Sequence, residues 1–139
     1  MKDKTLKLMA ASKHCVISTI GPDGEPQSAL VGFSEDEELN LVIGTYKNSR
    51  KFSNIKGDSK VAVVIASEEN KLEIQYEGHA KIVDAEELGD RLGFHFKKLP
   101  AAEKRQQDPN QAWIKVTPSW VRFVDANYSP VKYEETSFR

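Results

Sequence analysis

The residues best suited to chemistry form a short polar and basic run, Asn48-Ser49-Arg50-Lys51. The apolar positions behind this run are spaced to share one face of a helix, and Gly57 is a natural place for that helix to end. Asn48 or Ser49 would be its N-terminal cap, because both side chains accept hydrogen bonds from free backbone N–H groups. The sequence therefore predicts that Arg50 and Lys51 lie in the first turn of a short helix.

Two cations in that position are unfavourable unless an anion is bound. A helix N-terminus carries about half a positive charge, so each lysine or arginine there costs roughly 0.3–1 kcal/mol. A phosphate would reverse the sign, because the free N–H groups, the Ser49 hydroxyl, Arg50 and Lys51 could all bind it, with Thr45 donating from the preceding strand end. The residues alone leave a second interpretation open, in which Arg50 and Lys51 are simply solvated.

The three histidines and the single cysteine offer no second centre. His14, His79 and His95 lack the i, i+4 spacing of a helical zinc pair, so we predict no metal site and expect structural or exposed histidines. Cys15 opens a β-rich segment, which predicts a small buried side chain rather than a reactive thiolate. No serine, histidine and aspartate arrangement suggests a hydrolase, and no catalytic residue can be named.

Size and charge limit the class of protein. The 139 residues suit one domain, so we predict a single domain over residues 1–139. The 20 lysines and arginines nearly balance 21 acids, which predicts no binding to nucleic acid or to a membrane surface through bulk charge. A lone cysteine fits a reducing compartment, and no apolar run approaches the ~20 residues of a membrane span. We therefore expect a cytoplasmic protein.

The elements around the basic run indicate a β-rich domain. The predicted strands are 15–20, 27–34, 39–44, 61–66, 72–82, 113–116 and 120–124, and the predicted helices are 3–12, 48–57 and 84–99. Residues 61–66 are almost continuously apolar, which is typical of a central strand covered on both faces. Gly78 indicates a bulge within one long strand.

The remaining segments complete the predicted fold. Asp84 and Glu87 resemble a capping box at the start of a peripheral helix of ~3 turns. Residues 101–111 are polar and predicted to be a loop, and the tail after Asp125 is left unassigned. Six to seven short strands with few helices describe a small barrel or a sandwich, and the long, bending strand favours the barrel.

Five segments together carry a family resemblance: STIGPDGEPQSALVGF, GTYKNSRKFSNI, KVAVVI, YEGHAKIV and VTPSWVRFVD. Over residues 15–125 the chain resembles the pyridoxamine 5′-phosphate oxidase-like, FMN-binding split-barrel family. The resemblance implies a mostly β (α+β) fold, a six- to seven-stranded antiparallel split β-barrel with short peripheral helices. It also implies a homodimer with FMN at the subunit interface.

The resemblance also implies a cofactor site. The serine, arginine and lysine of the basic run match the family turn that binds the FMN phosphate, with a Gly-Thr pair on the strand end beside it. Residues 29–34 match the strand whose backbone lines the isoalloxazine ring. The matched positions are Ala29, Leu30, Val31, Gly44, Thr45, Ser49, Arg50 and Lys51.

Three departures argue against pyridoxamine phosphate oxidase activity itself. Ala29 stands where those oxidases have a phosphate-binding arginine, Glu73 where they have a glutamine, and Val124 where they have a flavin-contacting tryptophan. The tail also lacks a match for the arginine and histidine that bind their vitamin substrate. Trp113 and Trp120 could stack on a flavin from a second subunit, but we expect core or interface anchors.

The leading hypothesis is an FMN-binding flavoprotein that acts as an oxidoreductase. Two alternatives remain open: a non-enzymatic protein that binds flavin or haem for storage or sensing, and a deazaflavin-dependent reductase. The acidic residues 35–38 are expected to form a solvated turn rather than a carboxylate site.

Overall fold

Seven strands and five short helices make up the part of the chain that the computed structural model describes, residues 1–138. The strands are β1 (His14–Ile20), β2 (Pro26–Glu35), β3 (Leu41–Tyr46), β4 (Lys60–Ser67), β5 (Leu72–Val83), β6 (Gln111–Asp125) and β7 (Lys132–Ser137). The helices are α1 (Lys2–Ala10), α2 (Arg50–Gly57), α3 (Ala85–Leu88), α4 (Asp90–Lys98) and α5 (Pro100–Arg105). Every helix in this range is too short or too polar to cross a lipid bilayer.

The strands close into a barrel. They pair in the order β3-β2-β1-β4-β5-β6-β7, and β3 also pairs with β6, so that six antiparallel strands form a closed ring and β7 is added outside it. Alternate residues point inward, as in β4, where Val61, Val63 and Ile65 are buried. The predicted mostly β barrel is confirmed, and the sandwich is excluded.

Within this closed ring, the pairing between β2 and β3 is short. These strands pair over only three positions, from Phe33 opposite Ile43 to Glu35 opposite Leu41. The remaining length of β3 pairs with β6 instead. The β3-facing edge of β2 before Phe33 therefore has no strand partner within residues 1–138, and the split opens beside the start of α2.

Gly78 marks a bulge, as predicted. The register between β5 and β6 shifts between Glu77 and Gly78, and Ser119 is the extra residue on β6. A Cβ atom on Gly78 would lie 2.3 Å from the carbonyl oxygen of Thr117, so no larger residue fits without moving backbone. The long strand can bend around the barrel because glycine permits this close approach.

Several local predictions were wrong. The segment 61–66 is not covered on both faces in this chain, since Val64 on its outer face is 40% exposed. The helix predicted over 84–99 is broken at Gly89, whose φ is +51°, and the predicted loop 101–111 begins with α5, which has Pro100 at its first position. Residues 113–124 form one strand through Pro118 rather than two segments.

Candidate functional site

The first turn of α2 is fixed by two hydroxyl groups. Ser49 is the N-cap, and its Oγ accepts a hydrogen bond from the Phe52 N–H at 3.3 Å. The same Oγ lies 2.9 Å from Oγ1 of Thr45, which ties the helix to the end of β3. Because each hydroxyl carries one hydrogen, this pair can still donate one hydrogen bond outward. Ser49 is thus the cap of α2, and its pair with Thr45 has one hydrogen-bond donor to spare.

Two adjoining cavities open beside this turn. The smaller has a volume of about 100 Å³ and is lined by Thr19, Gln27, Ser28, Ala29, Arg50 and Lys51. The larger is a cleft of about 530 Å³ in the split between β2 and β3, and its wall includes Leu30, Val31, Gly44, Thr45 and Lys51. Lys51 lines both cavities, whereas Arg50 lines only the small one. Seven of the eight predicted site residues therefore line the two cavities, which share Lys51, and Ser49 lines neither.

Lys51 is a half-buried cation that forms no ion pair with any of residues 1–138. Burial lowers the pKa of its ammonium group, because the charged form loses solvation. Its place beside the positive end of α2 adds to that cost, and a nearby negative charge would offset both effects.

The far wall of the cleft comes from α4 and α5. It contributes His95, Lys98, Leu99, Pro100, Ala101, Ala102 and Arg105. No aspartate or glutamate lines the cleft among the described residues. At the floor, a Cβ on Gly44 would lie 3.2 Å from the Trp113 ring, so glycine lets the indole approach β3 closely. The cleft is thus lined by apolar and cationic side chains.

Two ion pairs hold α4 across β2. Lys98 donates to Glu35 at 2.5 Å and to the Met9 carbonyl oxygen at 3.0 Å, and Arg91 lies 3.9 Å from Asp36. The prediction of a solvated acidic turn at 35–38 was therefore wrong for its first two residues. Their carboxylates are drawn in by cations from a helix more than fifty positions away in the chain.

His95 is buried between β2 and an aromatic cluster. Its Nδ1 lies 2.7 Å from Oγ of Ser34, and its ring packs edge-on against Trp113, with 5.2 Å between centroids. Burial, followed by the cations Arg91, Lys98 and Arg105, lowers its pKa to about 4. The sequence predicted only a structural or exposed histidine, since no local pattern links this helix to the cleft.

Of the other singled-out residues, His14 lines the larger cleft, whereas Cys15, Glu73, Val124 and Trp120 line neither cavity. Cys15 is buried, and burial raises the pKa of its thiol to about 12, which confirms the inert side chain predicted for it. Glu73 and Val124 pair with each other across β5 and β6 and do not line the cleft of this chain. Trp120 is partly exposed, and its Nε1 donates to Glu135 at 2.7 Å.

Comparisons with known proteins agree with the resemblance. Residues 1–125 match a family model described as pyridoxamine 5′-phosphate oxidase. A comparison with curated protein sequences gave no match.

Solved structures share the fold at low identity. General Stress Protein 26 from Bacillus anthracis is 24% identical, with a TM-score of 0.75 over 99% of this chain and 98% of that one. A pyridoxamine 5′-phosphate oxidase-related, FMN-binding protein from Nostoc punctiforme is 11% identical, with a TM-score of 0.72 over 99% and 91%. A haem-binding protein from Mycobacterium smegmatis is 17% identical, with a TM-score of 0.80 over 99% of this chain and 58% of that one. Because the family model spans residues 1–125 of a split barrel, this chain belongs to the pyridoxamine 5′-phosphate oxidase-like family.

Proposed function

We propose that this chain is an FMN-dependent oxidoreductase that binds its flavin in the split between β2 and β3 and works as a homodimer. The observation that carries the proposal is Lys51, a half-buried cation without an acidic partner in residues 1–138, shared by a small polar pocket and a larger cleft. A phosphorylated ring cofactor has this same division into a compact anion and a broad planar body.

The small pocket suits the phosphate. Its volume of about 100 Å³ equals roughly three water molecules at about 30 Å³ each, which is enough for one phosphate group. Arg50 and Lys51 supply two cations, and the N–H groups at the start of α2 supply further donors. Ala29 lines this pocket at the position where pyridoxamine phosphate oxidases have an arginine. This chain would therefore bind the phosphate with one cation fewer than those oxidases.

The larger cleft suits the ring. Its volume of about 530 Å³ falls within the usual range for a small-molecule site, and Leu30, Leu99 and Trp113 provide apolar walls. The unpaired edge of β2 offers backbone N–H and C=O groups to the polar edge of a planar heterocycle. A bound flavin would supply hydride or electron transfer, while these residues hold the ring and exclude water from one face.

A second copy of the chain would cover an exposed apolar stripe on the outside of the barrel. Leu30, Val16 and Val64 are neighbours across β2, β1 and β4, and they are 71%, 38% and 40% exposed. Leu30 also lines the cleft, so the stripe continues into the proposed flavin site. A subunit packed on this stripe would therefore lie against the bound ring, which supports a cofactor held at the dimer interface.

Absorption spectra of the purified protein and an FMN titration test the proposal. We expect flavin absorption, FMN release on denaturation, bleaching by a nicotinamide donor and reoxidation by an acceptor. A colourless protein without affinity for FMN would refute the assignment. A Soret band would favour the haem-binding alternative, and preferential binding of a deazaflavin over FMN would favour a deazaflavin-dependent reductase.

A further inference from the structure

The imidazole of His95 lines the cleft and has no part in the proposed binding of the FMN phosphate. His95 is only 1% exposed, yet it lines the cleft. Its Nδ1 contacts Ser34, while no hydrogen bond within residues 1–138 uses its Nε2. Nε2 is also not among the buried polar atoms that lack a partner. The small accessible area of this imidazole therefore includes Nε2, and among the cavities described here this side chain lines the cleft.

The surrounding hydrogen bonds favour one position of the imidazole proton. Nη2 of Arg91 lies 3.4 Å from both the carbonyl oxygen and Oγ of Ser34, so Ser34 accepts from the guanidinium. The Ser34 hydroxyl is then free to donate its own hydrogen to Nδ1 of His95, at 2.7 Å. A neutral imidazole with Nδ1 as acceptor carries its hydrogen on Nε2. The network thus presents an N–H donor to the cleft.

The charges around the ring keep it neutral. Arg91 and Arg105 face it from α4 and α5 and disfavour a second proton, as does Lys98. The nearby carboxylates of Glu35 and Asp36 are already paired with Lys98 and Arg91. His95 is therefore neutral near neutral pH, and its contact with Ser34 favours the Nε2–H tautomer.

We propose that His95 is a ligand-recognition residue, whose Nε2–H donates a hydrogen bond to a carbonyl or carboxylate oxygen of a molecule in the cleft. Ser34 and Arg91 are positioning residues that act through it. The cleft is lined by cationic side chains and, among the residues described, by no acids. These features favour an oxygen that carries a negative or partial negative charge.

The position of His95 separates it from the phosphate pocket. Ser34 is five residues along β2 from Ala29, or about 16 Å at roughly 3.3 Å per residue. The inference deepens the proposed function, since the recognised oxygen belongs either to the flavin ring or to a substrate beside it.

Nitrogen-detected NMR of histidine-labelled protein tests the donor directly. Without ligand, we expect His95 as the neutral Nε2–H tautomer from pH 5.5 to 8, and Ser34→Ala should produce a mixture of tautomers. An Nδ1–H tautomer, or protonation near pH 6, in the unsubstituted protein would overturn the inference. Because this arm needs no cofactor, it is independent of whether FMN binds.

Titrations with two ligands identify the molecule whose oxygen accepts the hydrogen bond from His95. A change in the Nε2 resonance on adding FMN supports recognition of the flavin ring. A change with benzoate, a simple aromatic carboxylate, supports recognition of a separate acidic ligand, even if FMN does not bind. If flavin absorption shows that FMN is bound and neither probe moves the resonance, the inference is refuted while the proposed function stands.

A matched pair of variants separates recognition from packing. In His95→Gln the amide nitrogen can replace the Nε2 donor, whereas in His95→Asn it lies where Nδ1 was and contacts Ser34 instead. We expect His95→Asn to weaken the binding of whichever probe, FMN or benzoate, shifts the resonance. The affinity should fall about five- to tenfold, as for the loss of one neutral hydrogen bond. His95→Gln should stay within about twofold. Equal losses in two folded variants would contradict direct recognition.

Discussion

Replacing Arg50 and Lys51 by methionine, singly and together, tests the phosphate site most directly. Methionine keeps an unbranched apolar side chain while removing the charge. Arg50 lines only the small pocket, whereas Lys51 lines both cavities. The two substitutions should therefore weaken FMN binding unequally.

The burial of each side chain sets the expected magnitude. Lys51 is half-buried, and a charge-assisted hydrogen bond there is worth about 2 kcal/mol, so Lys51→Met should raise the Kd about 30-fold. Arg50 is exposed, and solvent screening reduces its contribution to about 0.2–1 kcal/mol, or up to about fivefold. Because the proposal has both cations contact one phosphate, the effect of the double variant need not equal the product of the two single effects.

Riboflavin supplies the decisive comparison, because it has the same ring without the phosphate. Quenching of flavin fluorescence on titration gives the Kd of both ligands for each variant. We expect Lys51→Met to change riboflavin binding by less than about twofold, since the lost interaction is with the phosphate. Lys56→Met is the control for charge, because Lys56 lies in the last turn of α2 and outside both cavities.

The pH dependence adds a second check on Lys51. Burial lowers its pKa below the ordinary lysine value of 10.5, so FMN affinity should be complete below that lowered pKa and fall as pH rises through it. Lys51→Arg should abolish the fall, because arginine stays charged. Equal losses for riboflavin and FMN, or an unchanged Kd in the double variant, would refute the phosphate assignment.

Three further predictions concern assembly, the barrel and the buried histidine. Leu30→Lys places a charge on the exposed stripe and should convert a dimer to monomers in light scattering after gel filtration; an unchanged dimer would place the interface elsewhere. Gly78→Ala should destabilise the protein by about 2 kcal/mol or more in urea unfolding, because its Cβ would lie 2.3 Å from the Thr117 oxygen. Gly93→Ala is the control, because this position on α4 has open space around it, and it should be neutral or stabilising by about 0.5–1 kcal/mol. Equal stabilities of the two variants would contradict this prediction. Since folding lowers the pKa of His95 from 6.5 to about 4, the unfolded state binds more protons between these values, and stability should fall by about 3 kcal/mol as pH drops from 6.5 to 4; a His95→Gln variant with the same pH profile would refute that contribution.

Much of the local structure could be predicted because its causes are local. Strand alternation places inward and outward residues without knowledge of the partner strand. The cap at Ser49 and the bulge at Gly78 depend on a hydroxyl and on a missing Cβ at those positions. The covered strand at 61–66 was wrong because an apolar run does not reveal whether a second layer lies outside it. In this chain, Val64 faces outward.

The helical wall of the cleft could not be predicted for a different reason. Gly89 and Pro100 break the segment 84–105 into three helices, of which α4 contacts β2 through His95 and Ser34, and residues of α4 and α5 line the cleft. The spacing of apolar residues predicts helices, but it does not specify the direction that the chain takes after a helix is broken.

The sequence by itself determined most of the strands, the basic first turn of α2 and the family to which the chain belongs. Only the tertiary structure decided that β2 and β3 part beside that turn, that Lys51 has no acidic partner among the described residues, and that His95 reaches Ser34 from 61 positions away. The physical reason is that backbone hydrogen bonds are the same for every pair of strands. Which elements meet is settled by burial summed over the whole barrel, so contacts between distant residues appear only when the ring is closed.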